Sequence, residues 1–146
     1  MEGGVSGKER GMNATKKWSD RVVAAAVLLA GFGAAHLIDD FLYGVPADFG
    51  LSNATAQVLA LVYFGLTSVL LALAARGSRA GYVGNMVLGL FLLLADMLKH
   101  GREGLFAGAW RSGLFSRSLA FGLMMCAIGL VVVSIGAWRQ ARRGNR

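Results

Sequence analysis

The chain has little of what a soluble catalytic domain is built from. It has one cysteine, Cys126, in 146 residues. A single chain of this kind forms no internal disulfide and no cysteine-based metal site. Cys126 therefore reads as a small residue at a helix contact. There are only two histidines, His36 and His100, and neither belongs to a His-x-x-His or Glu-x-x-His pair. No glycine-rich nucleotide loop, no Ser/His/Asp or Cys/His nucleophile pairing and no lipidation signal is present, so no motif points to an enzyme. Charge is scarce as well: 16% of the residues are charged, where a soluble domain averages about 25%.

Apolar residues fill the gap. They make up 55% of the chain, and the mean hydropathy is +0.56. Four runs are long enough to span a bilayer: about 21–43, 54–75, 80–100 and 114–138. A span needs roughly 20 residues at a rise of about 1.5 Å each. One soluble core of this size cannot hold so much apolar surface, whereas a bilayer solvates the outward faces. The fold class expected is all-α, an integral membrane four-helix transmembrane bundle over residues 18–138. A disordered polar tail is expected over 1–17 and a basic tail over 139–146. The first run, with its basic flank and Gly33-Ala34-Ala35, also has the pattern of a cleaved signal peptide. Its continuation through Leu37, Ile38, Phe41 and Leu42 favours a span.

The net charge of +7 follows the membrane, not nucleic acid. Eleven basic residues lie at the two termini and between spans two and three, and four lie on the opposite side: Lys99, Arg102, Arg111 and Arg117. This bias predicts a multi-pass protein of a cytoplasmic (inner cell) membrane with both termini cytoplasmic. The basic tails would bind anionic lipid headgroups. Trp18 and Trp138 mark the inner interface. Gly44 and Pro46 end the first span, and Ser52 caps the second. Arg76-Gly77-Ser78-Arg79 is a tight turn, and Gly101–Ser116 reads as a re-entrant or interfacial loop.

Glycine is abundant, 21 residues. Ser118, Gly122, Cys126, Gly129 and Gly136 form a small-residue stripe on span four, and Gly81, Asn85 and Gly89 form one on span three. Small residues let helices approach closely in lipid. A bundle this small has little interior, so a homo-oligomer or a larger membrane complex is expected.

Two ionisable clusters interrupt the apolar runs: His36, Asp39 and Asp40 on span one, and Asp96, Lys99 and His100 on span three. Ionisable residues in membrane helices face the bundle interior or a wet cavity. Spans one and three run in the same direction, so both clusters fall at one depth, toward the outer face. Tyr43, Gln57, Tyr63, Ser68 and Asn85 are candidates to line the same cavity; for Tyr63, Thr67 and Ser68 the alternative is hydrogen bonding within or between helices.

Three functions fit this pattern. The clusters fit a salt-bridge knot in an accessory or scaffold protein. They also fit a proton or cation relay in a small-solute carrier, with Asp40 and Asp96 holding the ion and the histidines shuttling protons. The third is a metal or haem site on His36, Asp40, Asp96 and His100. No cofactor is favoured over none. The expectation adopted is the accessory protein, with the carrier as runner-up.

Overall fold

The computed structural model describes residues 7–101 and 113–143. Among them there are helices and no strands. The helices are α1 (Gly7–Leu42), α2 (Val45–Asp48), α3 (Asn53–Ala75), α4 (Arg79–Gly101) and α5 (Leu114–Arg143). All but α2 are long and apolar enough to cross a membrane. The expected spans thus correspond to α1, α3, α4 and α5.

The helix ends follow from local chemistry. Ser52 has an extended backbone, and its Oγ accepts a hydrogen bond from Thr55 N–H at 3.1 Å, capping α3. At the other end of α3, Gly77 adopts φ 73°. Gly77 N–H then bonds Ala74 O at 2.9 Å and Ser78 N–H bonds Leu73 O at 3.0 Å. This glycine-dependent cap satisfies carbonyls the helix would otherwise strand. Gly44 is also left-handed, at φ 71°, where the chain leaves α1 and enters the one-turn helix α2.

One expectation about the tails needs correction. Residues 7–17, expected to be disordered, continue α1 as helix. The basic tail prolongs α5 as helix through Arg143. The extension is anchored at its inner end. Trp18 packs on Gly136 of α5, and Ser19 Oγ lies 2.6 Å from Tyr82 Oη of α4. Those contacts hold the turn from which the helix runs back. Residues 102–112, most of the expected re-entrant loop, and the side chain of His100 lie outside the described residues.

The helices form a ring. α1 packs against α5 and α3, α4 packs against α5 and α3, and α1 scarcely touches α4. Short connections make sequential helices antiparallel neighbours, so the parallel helices α1 and α4 stand on a diagonal. The core is a stripe from α1 (Val22, Ala26, Leu29) against one from α5 (Leu123, Ala127, Leu130, Ala137), closed by Ala74 and Tyr82. Both stripes recur at three- and four-residue steps, the spacing of one helical face.

Close approach rests on particular glycines. A Cβ at Gly122 would meet the Phe32 ring at 2.1 Å, and one at Gly136 would meet Trp18 at 2.4 Å. A Cβ at Gly81 would lie 2.4 Å from the backbone nitrogen of Ala74. The expected stripe on α5 is only partly used. Gly129 has open space around it, and Ser118 is exposed and bonds back to Leu114 O. Large apolar side chains stand on the outward faces, with Leu61, Leu98 and Leu42 each more than 70% exposed (73%, 73% and 77%).

Candidate functional site

The two ends of the α1–α4 diagonal are each crossed by one polar pair. At one end it is Ser19 with Tyr82. At the other, Lys99 Nζ donates to both oxygens of Asp40, at 3.0 and 2.9 Å. A lysine spans the diagonal because its four-carbon stem reaches where the helix backbones do not. His36 Nε2 lies 3.7 Å from Asp40 Oδ2, one turn back on α1. Asp96, one turn before Lys99 on α4, is buried.

These four residues share one cavity of about 560 Å³ between α1, α3, α4 and the α2 turn. Most of its wall is apolar. Phe41 and Leu37 come from α1, Val45, Pro46 and Phe49 from the α2 segment, Ala60 from α3, and Phe91 and Ala95 from α4. Leu59, Phe91 and Leu98 on the wall are each more than half exposed (52%, 64% and 73%), so the cavity opens sideways on the apolar flank of the bundle. Tyr63 also lines it. Its ring lies against α1 because residue 33 is glycine; a Cβ there would come within 2.9 Å of the hydroxyl. The Tyr63 hydroxyl is buried.

The structure divides the expected cluster. Asp40, Asp96, Lys99 and His36 come together. Asp39 does not join them: its Oδ2 accepts from Ser116 Oγ of α5 at 2.5 Å, in a buried contact. Consecutive helical residues are separated by about 100°, so one aspartate faces the cavity and the next faces α5. Ser116 was not marked by the sequence, because a serine at a span boundary looks like any cap.

Of the other candidate lining residues only Tyr63 lines the cavity. Tyr43 and Gln57 are exposed. Ser68 is exposed and returns its hydroxyl to Phe64 O at 2.8 Å. Thr67 does the same to Tyr63 O at 2.8 Å. Asn85 is fully buried, but it sits near the start of α4, where it donates to Leu70 O and Gly81 O at 3.0 and 2.8 Å. It ties α4 to α3. The sequence missed the aromatic part of the wall. Phe41, Phe49 and Phe91 look like generic apolar residues until α2 folds under the cavity.

Among the described residues no three of His, Cys, Asp and Glu are grouped to hold a metal ion. Of the metal candidates, His36, Asp40 and Asp96 are all on the cavity wall, but the Lys99 ammonium occupies both oxygens of Asp40. A two-histidine haem site would need His100, whose side chain is outside the described set.

No protein-family model, curated protein or solved structure matches this chain, so its function must be argued from this geometry.

Proposed function

We propose that the chain is a four-span protein of a cytoplasmic membrane, with both termini cytoplasmic, that acts as a small accessory protein binding one amphiphilic molecule in the α1–α3–α4 cavity. The observation that carries this reading is the cavity itself. It is about 560 Å³ in volume, mostly apolar, laterally open, and has its polar groups confined to one end. Small-molecule sites are of roughly 300–1,000 Å³ with few convergent polar groups. The apolar outer surface supports insertion, since exposed leucines of this density would be costly in water. In that setting the Asp40–Lys99 pair clamps α1 to α4 and also forms the polar end of the pocket.

The carrier remains a second use of the same groups, because a competing cation at Asp40 would release Lys99 and loosen the diagonal. Against it, buried Leu29, Leu123 and Leu130 fill the core between the two polar ends. A carrier would have to open that layer, and a binding protein need not.

The test is native mass spectrometry of the full chain released from its membrane in mild uncharged detergent. A retained small molecule is expected in the wild type and should be lost in Ala60→Phe, which fills the pocket from α3. An empty wild-type protein, or an adduct that survives Ala60→Phe, overturns the reading.

A further inference from the structure

The chemistry of Lys99 narrows the ligand, given the reading above that the cavity is a binding site. A lysine ammonium carries three N–H donors. Lys99 Nζ donates to Asp40 Oδ1 and Oδ2, at 3.0 and 2.9 Å, and lies 6.0 Å from the centroid of the Phe49 ring. Two donors are engaged by Asp40, and the third has no acceptor among the described residues. A charged donor without an acceptor is costly in an apolar setting. The Lys99 side chain is 19% exposed and lines the cavity, so a guest in the cavity can supply that acceptor.

The wall sets the shape of the guest. Asp40 and Lys99 lie near the ends of α1 and α4. Gly33 and Leu92, seven residues earlier on the same helices, line the cavity about 10 Å further in along the axes. Between these levels Leu37, Phe41 and Phe91 give apolar and aromatic surface. A fitting guest has one polar atom at Lys99 and an apolar body about 10 Å long. Charge on the polar atom is disfavoured in either sign. An anion would come beside the Asp40 carboxylate, which lies 2.9 Å from the same nitrogen, and like charges so placed repel. A cation would have to take Asp40 from Lys99, exchanging one charge-assisted bond for another.

We propose that the cavity binds an uncharged, single-bodied lipophile that presents one carbonyl oxygen to Lys99, entering sideways from the bilayer. The carbonyl accepts the third N–H bond while Asp40 keeps the other two, so binding leaves the α1–α4 clamp intact. The body lies along Leu37 and Phe91. A two-chain glycerolipid carries the same ester carbonyl, but a cavity of about 560 Å³ suits one short body.

The experiment compares four probes of similar length on the full chain in an uncharged detergent at neutral pH: methyl phenylpropionate, phenylpropionate, phenylbutylamine and pentylbenzene. Each is titrated against the thermal unfolding midpoint, which a native-state ligand raises by mass action. One hydrogen bond to a charged donor predicts an ester affinity about tenfold above that of the hydrocarbon, with acid and amine also below the ester. Lys99→Met should bring ester and hydrocarbon to parity while both still bind. Should Lys99→Met fail to fold, infrared spectra of the wild type decide. The carbonyl stretch of the isotope-labelled ester should fall on binding, relative to the ester in empty micelles, as it does when the oxygen accepts a hydrogen bond. An unmoved stretch, or equal binding of ester and hydrocarbon, overturns the carbonyl assignment and leaves the pocket standing. Tighter binding of the acid or the amine overturns the uncharged assignment. No shift with any probe overturns both the proposal and the binding site. Dioleoylphosphatidylcholine added to the micelles should not displace the ester, and displacement at comparable concentration would assign the site to bilayer lipid and overturn the single-bodied ligand.

Discussion

Asp39 and Asp40 are neighbours in the chain with separate tasks. A single residue step turns the side chain by about 100°, enough to send Asp39 to Ser116 of α5 and Asp40 to Lys99 of α4. The Asp40–Lys99 pair is partly shielded, with side chains 20% and 19% exposed. Removing one partner of such a pair strands the other charge, and removing both does not. Lys99→Met should therefore lower stability by about 2 kcal/mol, less than for a fully buried pair because of the residual exposure. Asp40→Asn combined with Lys99→Met should recover most of that loss. Equilibrium unfolding in detergent measures both, and a double variant as unstable as the sum of the singles would show that the two residues do not act as a pair. The identities of the ionisable residues were legible, because charges are rare in apolar runs. Their partners were not. A helical wheel gives relative angles on one helix, whereas the rotation of each helix against its neighbours is set by packing.

At the scale of the element, glycine positions separate into contacts and open sites. Gly81 faces the backbone of α3, with Ala74 N 2.4 Å from a would-be Cβ, and backbone cannot rotate aside. Gly65 has nothing within 4 Å. Gly81→Ala is expected to cost at least about 1–3 kcal/mol by overpacking. Gly65→Ala should be neutral or stabilising by up to about 1 kcal/mol, since alanine is the better helix former. Thermal midpoints of the two variants, measured side by side, check the contrast; equal effects would mean that α3 and α4 are not in contact at Gly81. The two ends of α3 were the best-read feature of the elements. Ser52 and Gly77 act locally, through bonds to residues three to five positions away. The one-turn helix α2 was not legible. Val45 and Pro46 are buried in the α2 segment and line the pocket, and nothing in four residues announces that.

For the whole molecule, the proposed sidedness rests on charge. Both termini and the α3–α4 turn carry eleven of the fifteen basic residues, and such an excess is retained on the cytoplasmic side. A reporter fused after Gly50 should be active only outside the cytoplasm, and one fused after Arg146 only within it. The opposite result would reverse the proposed topology and place the pocket at the inner leaflet. The sequence by itself determined that four helices are long and apolar enough to cross a membrane, where α3 begins and ends, and which residues are too polar for an apolar run. Length, hydropathy and capping act through neighbours in the chain, so they can be read without the fold. Only the tertiary structure decided that α1 and α4 stand on a diagonal, that Lys99 reaches Asp40 across it, and that Asp39 turns away to Ser116. It also decided that a cavity opens between α1, α3 and α4. These depend on helix order and rotation, which come from side-chain packing between segments far apart in the chain.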